Sequence, residues 1–78
     1  MVAKAFLLIQ SVAGKSNVVV AAIKQLGEKE IKSIDSVTGP YDVIAVIEGE
    51  TLLEIGDLVT SKINSIPSIS RVITCLVI

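Results

Sequence analysis

The chain has 78 residues, room for a single domain, and 51% of them are apolar although only 3% are aromatic. Seven Lys and Arg against eight Asp and Glu leave a net charge of −1. The basic residues are interleaved with acidic ones, which excludes the positive stripe that a phosphate backbone requires. There is no histidine, so Ser-His-Asp, Cys-His and Cys/His zinc arrangements cannot be built within the chain, and one cysteine cannot close an intrachain disulfide.

Val2 to Gln10 is rich in Leu, Ile and Phe and predicts a first strand, ending toward the turn-prone Gly14. Ala5–Ile9 is too short for a signal-peptide core. Ser16 then caps a predicted helix from Asn17 to Leu26, in which Val19, Ala22, Ile23 and Leu26 share one face. Gly27 suits the left-handed position that ends it. Gly14-Lys15-Ser16 has the order of the end of a phosphate-binding loop, but the glycine required five residues earlier is Ile9. The tripeptide reads as a turn and an N-cap.

Ile31 to Thr38 alternates Ile31, Ser33, Asp35 and Val37 against Lys32, Ile34, Ser36 and Thr38, a half-polar strand expected at a sheet edge. Gly39 and Pro40 make a turn, and Asp42 to Glu48 is a second apolar strand, so the pair reads as a hairpin. Thr51-Leu52-Leu53-Glu54 is a capping box: the Thr hydroxyl accepts from the Glu54 amide, and the Glu carboxylate reaches back to the Thr51 amide. The helix it opens carries Leu52, Ile55, Leu58, Val59 and Ile63 on one side. Gly56 within it costs about 1 kcal/mol against Ala, which suggests a close approach there. Pro67 forces the exit, and Ser68 to Ile78 is the last strand. The longest apolar runs, Val18–Ile23 and Val43–Ile47, fall well short of the ~18 residues of a membrane span. With no export signal, the cytoplasm is the expected location.

The order is β-α-β-β-α-β, which predicts an α+β, ferredoxin-like sandwich: a four-stranded antiparallel sheet with two helices on one face. The other face should be polar if it meets water. Yet Ala5, Leu7 and Ile9 oppose Phe6 and Leu8; Val43, Ala45 and Ile47 oppose Ile44 and Val46; and Ile69, Ile73, Cys75 and Val77 oppose Val72, Leu76 and Ile78. Both faces of three strands are apolar, and the two helices can cover only one. Exposing the second face, at ~25 cal/mol per Å², would cost an amount comparable with the stability of a small domain. A homodimer packed sheet to sheet is therefore predicted. Cys75 lies in this apolar strand and is expected to be a buried, unreactive thiol.

The polar chemistry is concentrated at Gly39-Pro40-Tyr41-Asp42, where the single Tyr stands beside a carboxylate at a hairpin turn. Turn formation alone accounts for Gly, Pro and Asp. A functional alternative is a polar corner at the mouth of an interface pocket, able to hold an ammonium or a carboxylate.

Val37-Thr38-Gly39-Pro40-Tyr41-Asp42-Val43-Ile44 resembles the G-x-Y-D hairpin of the amino-acid-sensing domain of Lrp/AsnC transcription regulators. Gly14 after the first strand and Thr74 in the closing strand match as well. The resemblance implies dimerisation through the sheets, assembly of dimers into octameric or decameric rings, and an amino-acid effector held between dimers. By position, Gly39, Tyr41, Asp42 and Thr74 would line that pocket: the turn offers backbone groups, Asp42 a partner for the α-amino group, and Thr74 a hydroxyl. Two departures stand out. Val72 occupies the place of a second Ser or Thr, and the chain starts at the first strand, without a helix-turn-helix. The resemblance thus implies a stand-alone sensing domain that does not itself bind DNA but can co-assemble with a full-length Lrp/AsnC regulator. Metals and cofactors are not called for.

A structural assembly domain without a ligand is the alternative reading. An enzyme of the dimeric α/β-barrel monooxygenase type is disfavoured: it would rely on His, Trp or Asn in the sheet cleft, and Asn17 and Asn64 fall on helices.

Overall fold

The computed structural model describes residues 2–78. Its elements are β1 (Ala3–Ser11), α1 (Ser16–Leu26), β2 (Ile31–Ser36), β3 (Val43–Gly49), α2 (Leu52–Leu58) continuing into a π-helical segment (Val59–Ile63), and β4 (Ile69–Leu76). The sheet order is β2-β3-β1-β4, antiparallel throughout, which is the ferredoxin-like α+β fold. As predicted, β2 is an edge strand; β4 is the other.

Alternation decides which side chains meet the helices. Ala5, Leu7 and Ile9 on β1 and Val43, Ala45 and Ile47 on β3 lie opposite one another and are fully buried. Val19 and Ile23 of α1, with Ile55, Leu58 and Ile63 from the second helical stretch, close over them. Leu7, Ile9, Ile23, Ile47, Ile55 and Ile63 are the largest of the fully buried side chains, so the core is aliphatic. α1 lies over β1, β2 and β3, and α2 over β1 and β3, which leaves β4 at the margin of the helical layer.

Two bulges revise the predicted alternation. In β2, Ile31 pairs with Ile47 but Ser33 pairs with Val46, so Lys32 is extra. The extra residue turns Ile31 and Ile34 to the same side, where both pack against the core. In β4, Arg71 pairs with Gln10 but Ile69 pairs with Ser11, so Ser70 is extra. Ile69 thereby joins Val72 on the core side rather than Ile73 and Cys75.

The helix ends also differ from expectation. Lys15, not Ser16, occupies the cap of α1, and no side chain caps it; Gly27 ends the helix at φ 63° as predicted. At α2 the Thr51 hydroxyl accepts from the Glu54 amide at 3.2 Å. Glu54 Oε2, however, accepts from the Glu50 amide at 2.6 Å, one residue before the predicted donor. Leu52 is 59% exposed and is not part of the buried face. The π-helical turn explains the rest of that face, because Ile63 follows Leu58 by five positions and both are buried. A Cβ on Gly56 would meet nothing within 4 Å, so no close approach calls for that glycine. The tight position is Gly49, where a Cβ would lie 3.3 Å from Glu54 Oε2. Glu28 and Lys62 form an ion pair between the α1–β2 connection and the π-helical turn.

The sheet's second face carries Phe6 and Leu8 from β1, Ile44 and Val46 from β3, and Ile73 and Cys75 from β4. Lys4, Glu48, Gln10 and Arg71 rim it at the two ends of the strands. The Lys4 ammonium sits 5.5 Å from the centre of the Phe6 ring. Cys75 is exposed, contrary to expectation, because it lies on this uncovered face of an edge strand. No helix is long and apolar enough to cross a membrane among the described residues.

Candidate functional site

The Gly39–Asp42 turn stands at the end of the sheet where β1 finishes and β3 begins. Gly39 has φ 136°, a conformation that side-chain-bearing residues rarely adopt, so the turn requires glycine there. The Val37 amide donates to the Asp42 carbonyl at 2.9 Å and closes the loop. Its base is fixed to β1 twice through Asp42: the Asp42 amide donates to the Ile9 carbonyl at 2.9 Å, and Asp42 Oδ2 accepts from the Ser11 amide at 2.9 Å. Its tip is fixed by Gln10, whose Nε2 donates to the Pro40 carbonyl at 3.0 Å.

Asp42 therefore has a structural duty: it satisfies a backbone donor at a strand end that the ladder leaves open. That bond uses one carboxylate oxygen. The other accepts no hydrogen bond among the described residues, and the side chain is half-buried, so one face of the anion is free to meet a cationic group. Tyr41 beside it is also half-buried, while Gly39 and Pro40 are exposed. The turn thus presents a carboxylate oxygen, backbone dipoles and a phenol ring within a few residues of chain.

Thr74 is not brought to this group. It pairs with Leu7 on the far side of β1 from β3. Two strand spacings and three residue steps separate it from Asp42, about 14 Å. It lies on the helix side of the sheet, yet it is exposed, unlike Ile69 and Val72 earlier in the same strand, which pack against the core. Gly39, Tyr41 and Asp42 therefore form one cluster within a chain, and Thr74 stands apart on β4.

Gln10 and Ser11 belong to the site and escaped the sequence reading. No motif marks them; the available signal was a polar pair closing an otherwise apolar strand. Ser70, the bulged residue of β4, donates its hydroxyl to the Gln10 carbonyl at 3.1 Å and joins β4 to the same corner. A groove of about 520 Å³ lies elsewhere, between α1 and β2, lined by Ile23, Lys24, Gly27, Glu28, Ile31 and Ile34 among others. It is wide open and none of the predicted site residues borders it. Among the described residues no three acidic or Cys side chains converge as a metal site would demand.

The family model described as the Lrp/AsnC ligand binding domain matches residues 4–78. The crystal structure of FFRP-DM1 is 36% identical, with a TM-score of 0.86, and each chain is covered in full. TTHA0845 from Thermus thermophilus is 31% identical, with a TM-score of 0.88, over 100% of this chain and 94% of that one. The transcriptional regulator NMB0573 from Neisseria meningitidis, solved as a complex with L-Met, is 17% identical with a TM-score of 0.82, and the match covers 97% of this chain but 49% of that one. Among curated proteins none matches.

Proposed function

The chain belongs to the Lrp/AsnC ligand-binding domain family, and on that premise we propose that it is a regulatory module that binds an amino acid at the Gly39–Asp42 turn. The observation that carries the reading is the state of Asp42. One oxygen is held by the Ser11 amide, which fixes the carboxylate's direction, and the other remains open toward solvent. A preoriented anion beside exposed backbone groups suits a zwitterion, whose ammonium meets the carboxylate while its own carboxylate takes backbone donors. The L-Met complex of the Neisseria regulator supports an amino acid as the ligand class.

Thr74 enters this site only if a second copy supplies it, since in one chain it lies two strands away. The module therefore works as an assembly. Its first step is a sheet-to-sheet dimer, supported by the apolar centre and charged rim of the open face. Further association into octamers or decamers brings β4 of one dimer to the turn of another. A longer regulator carrying the same domain offers the same face and can exchange into such an assembly. Membership of a ligand-binding family supports binding as the chemistry of the turn.

A structural assembly domain is the second reading, and the separation of Thr74 from the turn favours it. Light scattering after gel filtration, with and without the standard amino acids, distinguishes the two. A mass of several dimers that shifts with one amino acid, and a response abolished in Asp42→Ala, supports the sensor. A mass indifferent to every amino acid refutes it and leaves the assembly domain.

A further inference from the structure

The geometry points to Gln10 as the positioning residue of the amino-acid site, an inference that rests on the binding role proposed for the turn. The turn's base is held through the backbone and side chain of Asp42, but its exposed tip, Gly39-Pro40, is held by one side chain among the described residues. That side chain is Gln10, whose amide nitrogen donates to the Pro40 carbonyl at 3.0 Å.

The consequence follows from peptide planarity. The Pro40 carbonyl and the Tyr41 amide belong to one rigid plane and point in opposite directions. Fixing the carbonyl toward Gln10 therefore fixes where the Tyr41 N–H points. Proline contributes no N–H of its own, and the torsions on either side of this plane, ψ of Pro40 and φ of Tyr41, would otherwise let it rotate. Gln10 thus fixes the direction of a backbone donor in the same turn as the open Asp42 oxygen, and a zwitterion needs one group of each polarity.

Gln10 is itself braced from the other side. Its backbone carbonyl accepts from the Ser70 hydroxyl at 3.1 Å, and Ser70 is the extra residue of the β4 bulge. The chain Ser70–Gln10–Pro40 links β4, which carries Thr74, to the turn across β1. Gln10 touches no ligand in this scheme; it acts through the turn.

The test uses the whole chain and four proteins: wild type, Gln10→Leu, Gln10→Glu and Gln10→Lys. Leu deletes the donor, Glu replaces it with acceptors facing a carbonyl, and Lys keeps a donor on a side chain of sufficient reach. Each is titrated calorimetrically with every standard amino acid in turn, and its thermal midpoint is recorded. For the amino acid that wild type binds, Leu and Glu should weaken affinity about five- to tenfold, the size of one net hydrogen bond. Lys should stay within about twofold, with all four midpoints alike. Equal affinity in all four proteins overturns the positioning role and leaves the site at Asp42 standing. Losses that follow the midpoints, Lys included, overturn it in favour of a structural role. No binding of any amino acid to wild type overturns this inference together with the function it rests on.

Discussion

Replacing Phe6 with alanine tests whether the open face of the sheet is covered by a second copy. Phe6 lies at the middle of that face, between Val46 and Cys75, and 38% of it remains exposed in the single chain. A phenylalanine side chain offers about 200 Å², so about 75 Å² awaits a partner. At ~25 cal/mol per Å² that is about 2 kcal/mol per copy and about 4 kcal/mol per dimer, since a two-fold interface uses the residue twice. The dimer dissociation constant should rise nearly a thousandfold. Sedimentation equilibrium over a concentration series measures it, with circular dichroism confirming that the monomer stays folded. Val18→Ala is the control: Val18 is 48% exposed, but on α1, away from the sheet. A dissociation constant for Phe6→Ala within about threefold of wild type would refute the face-to-face argument, as would an equal effect from Val18→Ala.

Asp42→Ala leaves the Ser11 amide without its acceptor and should cost about 1–2 kcal/mol, lowering the thermal midpoint by about 5–10 °C in a chain this short. Asp42→Asn keeps an acceptor and should keep the midpoint while losing amino-acid affinity, a contrast that calorimetry and thermal melts read separately. Gly39→Ala forces a Cβ into a backbone at φ 136° and should destabilise by more than about 1 kcal/mol in urea unfolding, with no contribution from crowding, since nothing lies within 4 Å. Gly56→Ala should stabilise by about 0.5–1 kcal/mol in the same assay, because the helical backbone there has open space for a methyl group.

Much of the fold was legible because two periodicities are strongly written. β1 and β3 alternate without interruption, and Val19 and Ile23 repeat at helical spacing, so the core they build could be named in advance. What was missed lies where an extra residue breaks a period. Lys32 and Ser70 bulge out of the ladder, and the π-helical turn at Val59–Ile63 inserts one residue into the helical repeat. Such insertions depend on partners across the sheet or beneath the helix, which a local pattern does not contain. Gly56 misled for a related reason: a glycine inside a helix looks like a close approach, whereas the close approach fell at Gly49. At the candidate site the turn was legible from Gly39, Pro40 and Asp42, since each has a local conformational reason to be there. Gln10 and Ser11 were not, because their roles come from a hairpin about thirty residues further along the chain. The apolar neighbours of Cys75 in sequence suggest burial, but the residue faces the uncovered side of the sheet, and Thr74, placed by the family resemblance, lies on an edge strand two strands from the turn.

The two edges of the sheet carry unequal protection. β2 is short, bulged at Lys32, and bears Asp35, so another strand dropped beside it would meet a kink and charge. From Arg71 to Leu76, β4 has neither a bulge nor a further charge, and its outer row of N–H and C=O groups runs beside Ile73, Cys75 and Leu76. That edge is a template for any extended apolar segment, including the same strand of another molecule. Aggregation of this protein should accordingly begin at β4, and a single lysine introduced at its outer margin should slow it before any change in the fold is detectable.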